Sequence, residues 1–128
     1  MKLTVHVEQR EPGNAVVVSP KGEITSDTYE ILDRELAEIL SKPVQTLVLD
    51  MEHVAFISSA GVGTIAKTKV SLAKNNAELA MVNLQPQVRK VFEIIRLLPM
   101  MQVFKNTEEL DHYLGRVQRR MMGEDDCP

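Results

Sequence analysis

The chain reads as an α/β domain built on a mixed sheet, and three observations predict it. Short apolar runs rich in β-branched residues alternate with segments of helical periodicity, the pattern that parallel crossover units produce. The first two such runs stand close together with a turn between them, as in an antiparallel hairpin. The 128 residues, 44% hydrophobic and 26% charged, suffice for one core and are too few for two ordinary domains.

In the first strand Leu3, Val5 and Val7 alternate with Thr4, His6 and Glu8. Glu11-Pro12-Gly13-Asn14 is a turn signal, and Ala15 to Ser19 is an apolar run that completes the hairpin. Pro20-Lys21-Gly22 reads as a break, after which Glu23-Ile24-Thr25 leads to a helix. Asp27 followed by Glu30 resembles a capping box, and Tyr29, Leu32, Leu36, Ile39 and Leu40 fall on one helical face. Lys42-Pro43 ends that helix.

Leu47 to Met51, apolar apart from Asp50, predicts a central, covered strand. A helix is expected after Ser59, burying Val62, Ile65, Ala66, Val70 and Ala73 and closing at Lys74-Asn75-Asn76. Glu78 to Asn83 is the next strand. Pro86 opens a further helix, where its missing N–H has no intrahelical partner to lose, with Val88, Val91, Phe92 and Ile95 inward and a stop at Leu98-Pro99. Gln102-Val103-Phe104 is a short strand. Asn106 or Thr107 caps a last helix with Leu110, Tyr113, Leu114 and Val117 inward. The expected order is β-β-α-β-α-β-α-β-α, with a domain over residues 1–121 and a flexible tail over 122–128.

Composition excludes several functions. Fifteen basic against 18 acidic residues give a net charge of −3, which is no nucleic-acid footprint. Arg116, Arg119 and Arg120 share a face near the end, best read as a solvated helix terminus. The single cysteine, Cys127, cannot form an internal disulfide, and no apolar run approaches a membrane span, so a cytoplasmic location is expected. His6, His53 and His112 lack metal-ligand spacing, and no cofactor is implied. Asp50 and Glu52 read as a solvated rim. Ser59 has Gly61 two residues after it but Ile57 two before, half of a hydrolase elbow, and no phosphate-cradling loop is present. An enzyme is not expected.

The most informative segment is Phe56-Ile57-Ser58-Ser59-Ala60-Gly61-Val62-Gly63, two hydroxyls where a strand-side loop becomes a helix. The first turn of a helix has N–H groups without intrahelical partners, and its end is electropositive. A serine there serves as a cap, and a phosphate placed on it is electrostatically favoured. Two readings of Gly61 and Gly63 stay open: relaxing the turn for close packing, or keeping the surface flat for a partner.

This segment and the element order resemble the STAS domain, specifically the bacterial anti-sigma factor antagonists. That family has Phe or Tyr, an aliphatic residue, Asp, Ser, a small residue, Gly, Leu or Val, and Gly at these positions. Gly22-Glu23-Ile24 resembles its Gly-Glu-Leu/Ile, Pro86 its helix start, and Val88-Arg89-Lys90-Val91-Phe92 its third helix; the likeness spans residues 3 to 117. Ser58 stands where the family often has Asp, and so does Thr25. The resemblance implies a STAS fold, a mixed sheet with helices mainly on one face, and a phospho-acceptor at Ser59, with Ser58 the second candidate. It also implies a partner-binding surface of Gly22, Glu23, Thr25, Ser58, Ser59, Ala60, Gly61, Val62 and Gly63. The implied cycle is partner switching: the unmodified chain binds an anti-sigma factor that is also a serine kinase, phosphorylation releases it, and a phosphoserine phosphatase resets it. The alternative is a STAS scaffold subunit of a signalling or lipid-transport complex that is not phosphorylated. A serine nucleophile at Ser59 is a third reading, disfavoured because no histidine partner is evident.

Overall fold

The computed structural model describes residues 3–10, 15–96, 102–104, 106, 108, 109, 111 and 112. Strand β1 (Leu3–Arg10) pairs antiparallel with β2 (Ala15–Ile24). Helix α1 (Tyr29–Leu40) leads to β3 (Thr46–Asp50) and a short β4 (Val54–Ile57). Helix α2 (Ser59–Lys74), β5 (Glu78–Val82), α3 (Pro86–Ile95) and β6 (Gln102–Phe104) follow. The sheet runs β1-β2-β3-β5-β6, with β4 paired to β2, and every pairing except β1–β2 is parallel. The mixed α/β sheet predicted from sequence is therefore present, with β3 at its centre.

The alternation of each strand divides its side chains between two faces. Val16, Val18, Leu47, Leu49, Leu79 and Met81 point to the face where α1, α2 and α3 supply Leu32, Leu36, Val62, Ile65, Leu72, Val88 and Phe92. Ala15, Val17, Val48, Ala80 and Val82 form a second cluster with Phe104 on the other face, to which none of these three helices contributes. Burial on both faces explains why Leu47 to Leu49 carries no polar residue.

Four local expectations are corrected. Strand β2 does not stop at Ser19; it continues through Pro20 to Ile24. Its ladder to β3 ends at Val18↔Leu49 and its ladder to β4 begins at Gly22↔Val54, so Pro20 lies in the gap between two neighbours, where a missing N–H is tolerated. The segment before Ser58 is not only a loop, because Val54–Ile57 forms strand β4. Helix α1 is preceded by Thr28, not capped by Asp27, and Thr28 makes no side-chain cap bond to the helix. Helix α2 buries Thr64 and Thr68 where Ala66, Val70 and Ala73 were expected, and Val70 is 56% exposed. The Thr68 hydroxyl donates to the Thr64 carbonyl at 2.9 Å, so the hydroxyl is satisfied within its own helix and can turn inward.

Helix α3 ends at Ile95, with Arg96 in the left-handed region at φ 65°. Asn106 Oδ1 accepts from the Glu109 N–H at 3.0 Å, the capping expected for Asn106, and residues 108, 109, 111 and 112 are helical. The Arg10 guanidinium meets Asp111 Oδ1 at 2.6 Å and ties this turn to β1. The turn at 11–14, the stop at Leu98-Pro99, Thr107, the inward residues of the last helix, the arginine patch, Cys127 and the tail over 122–128 lie outside the described residues.

Candidate functional site

The β2–β4 ladder builds the site. Glu23 pairs with Phe56 and Ile24 with Ile57, and the register shifts between Gly22 and Glu23. Gly22 sits at φ 127°, a conformation open to glycine and strained for other residues, and its N–H donates to the His53 carbonyl at 3.0 Å. The ladder ends where the Ser58 N–H donates to the Ile24 carbonyl at 2.8 Å. Ser58 is thereby fixed at the end of β4 with an extended backbone, φ −92° and ψ 172°, suited to an N-cap.

The two serines differ in role. The Ser58 side chain accepts from the Gly61 N–H at 3.4 Å, and its carbonyl accepts the first helical bond, from the Val62 N–H, at 3.0 Å. Ser59 is the first residue of α2 and is exposed, and it makes no side-chain hydrogen bond to a described residue. The first turn of α2 carries no acidic residue, so its electropositive end is not neutralised from within the helix.

The glycines also differ. A Cβ on Gly61 would stand 2.6 Å from Ile24 Cγ2 and 2.8 Å from Ile57 Cγ1, so glycine lets α2 lie directly on the β2–β4 pair. A Cβ on Gly63 would meet nothing within 4 Å. Packing therefore explains Gly61 and leaves Gly63 unexplained within the folded chain.

Of the residues expected at a docking surface, Ser59 and Gly63 are exposed, and Gly22, Glu23, Ser58 and Ala60 are half-buried. Thr25, Gly61 and Val62 are buried in the folded chain. Thr25 lies one residue past Ile24, at the same end of the sheet as Ser58, but its hydroxyl is engaged locally. Thr25 Oγ1 accepts from the Asp27 N–H at 3.1 Å, and the Thr25 N–H donates to Thr28 Oγ1 at 2.8 Å. Thr28 Oγ1 in turn donates to the Glu23 carbonyl at 2.7 Å. These two threonines order the turn before α1, where the Tyr29 N–H donates to the Thr25 carbonyl at 2.8 Å.

Sequence reasoning missed Thr28, and it missed Asn83, Gln85 and Gln87. Asn83 Nδ2 donates to Asp50 Oδ1 at 3.2 Å, Gln85 Nε2 to the Glu52 carbonyl at 2.7 Å, and Gln87 Nε2 to the Ala55 carbonyl at 3.0 Å. The only sequence signal for them is alternation of amide residues around Pro86. Among the described residues no group of three or more His, Cys, Asp or Glu is placed to hold a metal ion, and no helix is long and apolar enough to cross a membrane.

Sheet, helices and capped helix start together define a small α/β domain that presents a free hydroxyl at the mouth of α2. A family model described as the STAS domain matches residues 6–110. The chain belongs to the STAS domain family. It is 34% identical over 108 residues to a Bordetella bronchiseptica protein named as an anti-sigma factor antagonist, BtrV, covering 84% of this chain and 90% of that protein. It is 24% identical over 106 residues to the anti-sigma-B factor antagonist of Staphylococcus aureus strain NCTC 8325, covering 83% and 98%. Among solved structures, an anti-sigma factor antagonist from Mycobacterium paratuberculosis superposes with a TM-score of 0.78 at 23% identity, covering 88% of this chain and 94% of that one. The Bacillus cell fate determinant SpoIIAA in its phosphorylated form superposes with a TM-score of 0.67 at 23% identity, covering 86% and 99%.

Proposed function

We propose that this chain is an anti-sigma factor antagonist that works by partner switching: it binds an anti-sigma factor that is also a serine kinase and is released when Ser59 is phosphorylated. The observation that carries the reading is the division of labour at the head of α2, where Ser58 holds the cap and Ser59 is exposed. Relatives named as anti-sigma factor antagonists, aligned over most of their length, support the choice of partner. A solved relative described as phosphorylated supports the choice of modification.

In the transfer, Ser59 Oγ bonds to the γ-phosphorus of ATP as the bond to the ADP oxygen breaks, and the hydroxyl proton passes to a base of the kinase. The product carries a charge of about −1.5 to −2. In the free chain that charge faces the positive end of α2 and open solvent. In a docked interface it loses water and meets the partner's own groups, and about 1.4 kcal/mol of penalty lowers affinity tenfold. The switch needs no refolding, and a phosphatase reverses it.

The test is binding to the purified anti-sigma factor. Ser59→Asp should weaken the complex by at least roughly tenfold, a shift of about 1.4 kcal/mol, while Ser59→Ala keeps wild-type affinity. Incubation with the kinase and ATP should add one phosphate at Ser59, read by mass spectrometry. A wild-type chain that neither binds the anti-sigma factor nor gains phosphate overturns the reading.

A further inference from the structure

We propose that Asn83, Gln85 and Gln87 form a side-chain amide ladder that holds β4 and sets how Ser59 is presented, an inference that rests on the reading of Ser59 as the phospho-acceptor. One edge of β4 pairs with β2. On the other side, β5 ends its ladder at Asp50↔Val82, before β4 begins, and Asn83 turns the chain away in the left-handed region at φ 61°. No described strand therefore pairs with the second edge of β4.

The β5–α3 connection and the first turn of α3 meet the end of β3, the β3–β4 connection and that edge of β4 with side chains. Asn83, Gln85 and Gln87 donate in order to Asp50 Oδ1, the Glu52 carbonyl and the Ala55 carbonyl. The rungs reinforce one another. Asp50 Oδ1 also accepts from the Glu52 N–H at 3.1 Å, and Gln87 Nε2 reaches Gln85 Oε1 at 2.9 Å. Gln85 precedes the first residue of α3 and makes no cap bond to its own helix; its amide is spent on Glu52. The β3–β4 connection and β4 are thus held between a backbone ladder on one side and amides on the other. Ser58 and Ser59 follow directly from β4, so the ladder fixes the base from which Ser59 projects. Gln85 and Gln87 are positioning residues that act through the Glu52 and Ala55 carbonyls, and Asn83 acts through the Asp50 carboxylate.

The test uses the full chain with Gln85→Glu and Gln87→Glu together, which keep the side-chain shape and remove both N–H donors. The first readout is amide hydrogen exchange at Ser58, whose N–H is bonded to Ile24, with Val48 and Leu49 as internal controls. Ser58 should exchange at least roughly tenfold faster while the β3 controls stay unchanged, as expected of local opening. The second readout is the kinetics of Ser59 phosphorylation, where kcat should fall roughly tenfold with KM held, since misplacement affects the reacting geometry more than docking. Gln87→Lys, which keeps a donor, should retain slow exchange at Ser58. Unchanged Ser58 exchange in the double variant overturns the ladder's role, as does faster exchange that reaches Val48 and Leu49 equally. Faster Ser58 exchange with unchanged phosphorylation kinetics overturns the positioning role. A wild-type chain that takes no phosphate overturns the proposed function instead, and the exchange result still decides whether the ladder holds the segment.

Discussion

Gly61 lies so close to Ile24 that a Cβ would stand 2.6 Å from the Ile24 Cγ2, whereas two residues on Gly63 faces open space. Alanine at the two positions should therefore have opposite effects. Gly61→Ala should cost about 1–3 kcal/mol, because the branched Ile24 and Ile57 side chains are locked in the core and cannot retreat freely. Gly63→Ala should stabilise the chain by about 0.5–1 kcal/mol through helix propensity. If Gly63 exists to admit a partner, that same substitution weakens anti-sigma binding. Denaturant melts paired with a binding titration check both halves.

Thr28 satisfies two backbone groups with one buried hydroxyl, accepting from Thr25 and donating to Glu23. Thr28→Val keeps the shape and strands both partners, so it should destabilise by about 2 kcal/mol, while Thr28→Ser recovers most of the loss. Thr68→Val removes a hydroxyl that only adds to the Thr64 carbonyl, and its cost should stay below about 0.5 kcal/mol. Thermal unfolding of the three variants separates these outcomes.

Ser58→Ala should cost about 0.5–1 kcal/mol, the low end for a cap because the bond to Gly61 is long at 3.4 Å. Ser58→Asp should recover or exceed wild-type stability by placing a negative charge at the electropositive end of α2. Mass spectrometry of kinase-treated Ser58→Ala should still show one phosphate, on Ser59.

The buried face of α2 is tested by Val70 and Leu72. Val70→Lys should change stability by no more than about 0.5 kcal/mol, since Val70 is 56% exposed and lysine is the better helix former. Leu72→Ala, at 2% exposure, should cost about 2–5 kcal/mol. Urea unfolding midpoints distinguish the two.

Much of this fold was legible because apolar period and strand length agree. Leu47 to Leu49 could only be a covered strand, and the stripes of α1 and α3 match their buried residues Leu32, Leu36, Val88 and Phe92. Helix α2 misled because its outer flank is also apolar or small, at Ala66, Val70 and Ala73, while its inner face borrows Thr64 and Thr68. Periodicity counts hydrophobes, and a threonine satisfied by its own helix escapes that count. Strand β4 escaped because four residues, two of them exposed, carry too little pattern. The serines of the site were legible from their place before a helical stretch. Which of them is engaged, and what braces them, depends on Ile24, Gln85 and Gln87, and bonds between residues so far apart in the chain leave no local signature.

The Arg10–Asp111 ion pair joins residues 101 positions apart. Closing so long a loop has an entropic cost that grows with its length, and the parallel pairings between are themselves non-local. This bridge should therefore form late on the folding route, once the intervening ladders stand. Losing it should hasten unfolding and leave the refolding rate almost untouched.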